Sequence, residues 1–65
     1  MIKFRIIYPD DTHSDHIVET IDQAKNVIKE KTWIEDRQIK HVKTLESLDY
    51  DMRDLDLIFY DVLTF

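Results

Sequence analysis

The chain has 65 residues, 35% of them charged, and contains neither glycine nor cysteine. That length supports one domain, residues 1–65, near the lower limit for folding on a single core without staples. Lack of cysteine excludes disulfides, thiol nucleophiles and cysteine-ligated zinc and fits a reducing, cytoplasmic setting; lack of glycine excludes phosphate-cradling loops and dinucleotide fingerprints, which need backbone conformations that only glycine accepts.

No apolar run is long enough to cross a membrane, and the start of the chain is too short and too charged for a signal peptide. The net charge of −5 is unevenly placed. Acids and bases balance through residue 43, whereas Glu46, Asp49, Asp51, Asp54, Asp56 and Asp61 stand against Arg53 alone in residues 44–65. Such a domain repels phosphate backbones, which argues against direct nucleic-acid binding.

In chain order, Ile2, Phe4, Ile6 and Tyr8 alternate with Lys3, Arg5 and Ile7, the period of a half-buried strand. Pro9-Asp10-Asp11 is turn chemistry, and a short second strand at about His16 to Glu19 completes a hairpin with a polar tip. Thr20 to Lys31 reads as a helix. Thr20 and Gln23 make a capping box, and Asp22 in the first turn and Lys29 and Lys31 in the last suit the helix dipole. Ile21, Ala24, Val27 and Ile28 form its apolar stripe, and Trp33 and Ile34 are expected to cover its C-terminal end.

From Ile39 onward the period is ambiguous. Ile39, Val42, Leu45, Leu48, Met52, Leu55, Phe59 and Val62 suit a long helix, but aspartates are poor interior helix residues. Leu57 to Phe65 is also dense in β-branched and aromatic types. These observations predict a third strand near Gln38 to Lys43, a helical turn at Ser47 to Met52 and a closing strand near Leu57 to Leu63. The first and last strands, apolar on both faces, are expected to pair at the sheet centre. The predicted fold is α+β, ββαββ, with one helix on a four-stranded mixed sheet.

That order of elements resembles the ubiquitin-like β-grasp family. Thr20, Ile21, Lys25, Ile28, Lys31 and Ile34 repeat the spacing T-I-x-x-x-K-x-x-I-x-x-K-x-x-I of ubiquitin's helix without a gap. Leu48-Asp49-Tyr50-Asp51-Met52 is similar to its leucine, Asp-Tyr and following aliphatic residue. No diglycine tail follows Leu63-Thr64-Phe65. The resemblance therefore implies a stand-alone protein-binding member rather than a conjugated modifier, and fold analogy licenses no more.

In a closing strand Asp61 must face solvent, since a buried unpaired carboxylate is too costly. By the two-residue period Phe59, Leu63 and Phe65 share its face, and Val42, with Tyr8, extends the patch. Val42, Phe59, Asp61 and Leu63 are thus the expected partner-binding site on an exposed sheet face. The alternative function is an acidic mimic that blocks a nucleic-acid-binding protein, with Asp49, Asp51, Asp54 and Asp56 as its charged face.

Other constellations are weaker. Asp10, Asp11, His13, Asp15 and His16 contain metal-ligand types but sit on a loop without supporting structure. The aspartates after residue 48 lack the glycine and glutamate of an EF-hand. Ser14 between His13 and Asp15 has triad residue types that, as sequence neighbours, point apart. The expectation is a non-catalytic protein without cofactor or metal, whose partner is another protein. Strand edges or the Phe59 face leave a homo-oligomer open.

Overall fold

A computed structural model of the chain describes residues 1–63. The fold is α+β, in the order β1 (Ile2–Ile7), β2 (His13–Val18), α1 (Ile21–Lys29), a π-helical turn (Glu30–Ile34), β3 (His41–Ser47) and α2 (Met52–Leu63). The three described strands form one antiparallel sheet in the order β2-β1-β3.

β1 follows its alternation. Ile2, Phe4 and Ile6 are fully buried, Tyr8 nearly so, and Lys3, Arg5 and Ile7 stay half-buried on the opposite face. In the hairpin, Tyr8 N–H donates to the Thr12 carbonyl and Asp11 N–H to that of Tyr8, both at 2.9 Å. Asp11 takes a φ of 68°. In a chain without glycine, aspartate is among the few residues that tolerate that region. β2 starts earlier than predicted, at His13, because this tight turn lets pairing begin at Ile7↔His13.

The capping box of α1 forms in both halves. Gln23 N–H donates to Thr20 Oγ1 at 3.2 Å, and Gln23 Oε1 accepts from the N–H groups of Thr20 at 3.4 Å and Glu19 at 2.8 Å. Ala24 and Ile28 are buried, with Ile21 and Val27 packed partly against the core. The π-helical turn then departs from prediction. Thr32 Oγ1 donates to the carbonyls of Ile28 and Lys29, and the wider turn shifts the phase of the side chains after it. Trp33 and Ile34 therefore stand 65% and 79% exposed rather than over the helix end.

The larger correction concerns the C-terminal third. β3 runs over His41–Ser47, later than expected, and pairs directly with β1; a break in register between Lys3 and Phe4 leaves Leu45 without a partner in β1. Met52–Leu63 is helix, not a closing strand, so the described sheet has three strands, no parallel pair, and β1 at its centre. The aspartates that argued against a helix explain why it forms. Asp51 Oδ1 accepts the Arg53 N–H at 2.8 Å and the Asp51 carbonyl accepts that of Leu55 at 3.1 Å, an N-cap arrangement. Asp54 sits in the first turn, where the helix dipole favours an anion. Asp56 reaches sideways and accepts the Thr44 backbone N–H at 3.0 Å.

Met52, Leu55, Phe59 and Val62 recur at helical spacing. Leu55 and Phe59 are fully buried, and the Phe59 ring lies 5.3 Å from that of Phe4. Both helices thus cover the face of the sheet that carries Ile2, Phe4 and Ile6.

Three substitutions test this packing by urea denaturation. Phe59→Ala is expected to cost about 3–5 kcal/mol, a loss few domains of this size survive. Asp56→Ala strands the Thr44 N–H and should cost about 1–3 kcal/mol. Thr44→Val should be neutral or stabilising, because Thr44 Oγ1 is buried with no hydrogen-bond partner among the described residues. An Asp56→Ala midpoint equal to wild type would contradict the docking of α2 described above.

Candidate functional site

The residues expected to bind a partner do not share a surface. Val42 and Phe59 are core residues, 2% and 0% exposed. Leu63 is half-buried and packs against the core, while Asp61 is exposed on α2. The expected site depended on a two-residue period for residues 57–63. On a helix the same residues fan around the axis, and Phe59 turns inward. Phe65 lies outside the described residues.

The acidic run is largely engaged within the fold. Asp49 Oδ2 lies 3.1 Å from the Met1 α-amino group, Asp51 caps α2 and Asp56 holds β3. Asp54 is exposed in the first turn of α2. Three of these four carboxylates, Asp49, Asp51 and Asp56, thus make three different contacts within the fold. His13 and His16 lie on opposite faces of β2, and among the described residues no group of three or more His, Cys, Asp or Glu comes together.

On the helix side of β2, Ser14 meets His16 rather than His13. Ser14 Oγ is 2.9 Å from His16 Nε2 and 3.3 Å from the Tyr8 hydroxyl. The His16 ring also stacks on Phe4 at 5.4 Å, and the Arg37 guanidinium lies 3.7 Å from the centre of the Tyr8 ring. Burial, and then the Lys31 charge, push the His16 imidazole below its ordinary value near 6.5. The group joins a half-buried strand to the core.

No described element covers the opposite face of the sheet, which reads in cross-strand rows: Ile17, Lys3 and Glu46; Asp15, Arg5 and Lys43; His13, Ile7 and His41. Arg5 grips Asp15 with two hydrogen bonds, Nε–Oδ1 at 2.7 Å and Nη2–Oδ2 at 3.0 Å. That fork holds the Asp15 carboxyl below the usual carboxylate range and the guanidinium above its own.

One concavity lies between the helices. Lys25, Lys29 and Trp33 follow one another at intervals of four along α1 and its π-helical extension. Ile58 and Val62, also four apart, face them from α2, with Asp61 beside them. Together they line a cleft of about 300 Å³. Lys29 Nζ stands 5.7 Å from the centre of the Trp33 ring, within cation–π range. The floor is apolar and two lysines against one aspartate make the rim cationic, although the chain as a whole is at −5. Leu57 and Tyr60, 65% and 64% exposed, extend apolar surface over the outside of α2. The spacings of Lys25-Lys29-Trp33 and Ile58-Val62 were present in the sequence, but the second becomes meaningful only once residues 52–63 are helical.

Compared with known proteins, the chain matches no family, no curated protein and no solved structure. No helix among the described residues is long and apolar enough to cross a membrane.

His16 supplies a pH prediction. Between its ordinary value near 6.5 and its lower folded value, the unfolded chain binds a proton that the folded chain resists. Its stabilising contribution is therefore complete above pH 6.5 and lost as pH falls through the folded value. Thermal melts at pH 7.5 and 5.5 should show a lower midpoint at the acid value, and His16→Gln should flatten that difference. Equal slopes for variant and wild type would contradict the assignment.

Proposed function

We propose that the chain is a small, non-catalytic protein-binding module that presents the α1–α2 cleft to an apolar segment of a partner protein flanked by acidic side chains. The observation that carries this reading is the cleft itself: an apolar floor of Ile58 and Val62, Trp33 as an exposed wall, and Lys25 and Lys29 on the rim. Trp is among the residue types enriched at interface hot spots, and lysines beside it favour an acidic flank. The lack of cysteine supports a reducing, cytoplasmic setting.

A ubiquitin-like relationship is supported by the hairpin, the capped helix and a following strand in that order. The α2 helix and the antiparallel sheet stand apart from it. Binding through the α1–α2 cleft does not depend on that relationship.

The test is a pull-down from nuclease-treated lysate, washed at high salt, with wild type, Trp33→Ala, Lys29→Glu and the sheet-face control Lys43→Glu. A partner retained by wild type and Lys43→Glu, and weakened about tenfold or more by both cleft variants while their melting is unchanged, is the expected result. Equal retention by all four proteins would sink the cleft as the site. A partner lost at high salt that is itself a nucleic-acid-binding protein would favour the acidic mimic instead.

A further inference from the structure

The two edges of the sheet differ. At β3, Thr44 pairs with Phe4 and turns its own N–H outward, where Asp56 accepts it. The α2 helix therefore occupies that edge. At β2, the bond from Tyr8 N–H to the Thr12 carbonyl sets the hydrogen-bonding parity of the hairpin. Ser14, His16 and Val18 direct their backbone groups to β1, whereas His13, Asp15 and Ile17 direct theirs outward. No strand pairs with that outer edge among the described residues.

β2 lacks most of the usual protections of an edge strand, its one acidic side chain, Asp15, being held by Arg5. It has no proline, no lysine and no bulge over His13–Val18. The helix layer also stops short of it. Ser14, His16 and Val18 are half-buried where Ile2, Phe4 and Ile6 on β1 are fully buried. On the other face Ile17 is 66% exposed. The edge thus carries open backbone groups and incompletely covered side chains on both faces.

We propose that β2 pairs antiparallel with β2 of a second copy across a two-fold axis, joining the two sheets into one. Residues directly opposite must share a face, which excludes every register that places an odd residue against an even one. Among the registers that overlap most of the strand, one sets Asp15 against the partner's Asp15, placing like charges face to face. The other sets His16 against the partner's His16. In that register Asp15 and the partner's Ile17 exchange both backbone bonds, His13 meets the partner's Glu19, and Ser14 meets the partner's Val18. The two Ile17 side chains become diagonal neighbours. The hydrogen bond that the His13 imidazole can offer Glu19, the coverage gained by Ile17 and Val18, and the avoided aspartate pair all select this arrangement. It leaves the α1–α2 cleft open in each copy, since α2 lies at the β3 side of the fold.

The experiment combines solution mass with single-cysteine crosslinking, which the cysteine-free chain allows without background. Light scattering from micromolar to millimolar concentration should give a species of twice 7.9 kDa. Ile17→Lys, at an exposed position, should weaken it by about tenfold or more without changing the circular dichroism. His16→Cys places two thiols at a non-hydrogen-bonded pair with Cα atoms about 4.5 Å apart, within disulfide reach. It should crosslink under mild oxidation, with Asp15→Cys much slower. Faster crosslinking of Asp15→Cys would overturn the register. A monomer at every concentration, or a dimer untouched by Ile17→Lys, would overturn the proposal; a monomer would leave the edge to another protein's strand.

Discussion

The contact between Phe4 and Phe59 is the one on which the rest of the structure depends. Phe4 lies at the middle of the central strand, and its ring meets His16 on one side and Phe59 on the other. A chain this short buries only a modest fraction of its surface, so the central strand must be covered completely. Ile2, Phe4 and Ile6 achieve zero exposure only because α2 closes over the sheet beside α1. Once Phe59 is committed to that role, the other faces of α2 are settled. Ile58 and Val62 turn toward α1, Asp56 toward β3, and Leu57 and Tyr60 toward solvent.

The same arrangement determines which surfaces are left to function. Docking α2 through Asp56 caps the β3 edge at Thr44, and the same helix forms a cleft against Lys25, Lys29 and Trp33. It also consumes much of the acidic run, with Asp51 at the helix cap and Asp49 beside the Met1 amine. The surfaces that remain are a cationic, apolar cleft on one side and an open strand edge on the other.

What was legible beforehand followed local rules. The alternation of β1 and the capping box of Thr20 and Gln23 each depend on neighbours a few residues away, and both formed as read. Met52 to Leu63 was legible in period but not in composition. Leu57, Ile58, Phe59, Tyr60 and Val62 favour a strand by type, and the aspartates disfavour a helix only when placed in its interior without partners. Asp51 is at the cap, Asp54 is in the first turn and Asp56 bonds a distant backbone N–H, so tertiary contacts reversed the local preference. The expected site at Val42, Phe59, Asp61 and Leu63 inherited that error, because a wrong period exchanges buried and exposed faces. Trp33 and Ile34 were misplaced for a smaller reason, a π-helical turn that no residue in the sequence announces.

The most direct test is the set of backbone carbon chemical shifts across residues 52–63 in solution. A continuous run of helical Cα shifts from Met52 to Leu63, with a slowly exchanging Thr44 amide, is the expected result. Extended shifts over Leu57 to Leu63, with cross-strand contacts to β1, would instead restore the closing strand and contradict the placement of Phe59, the cleft and the capped β3 edge together.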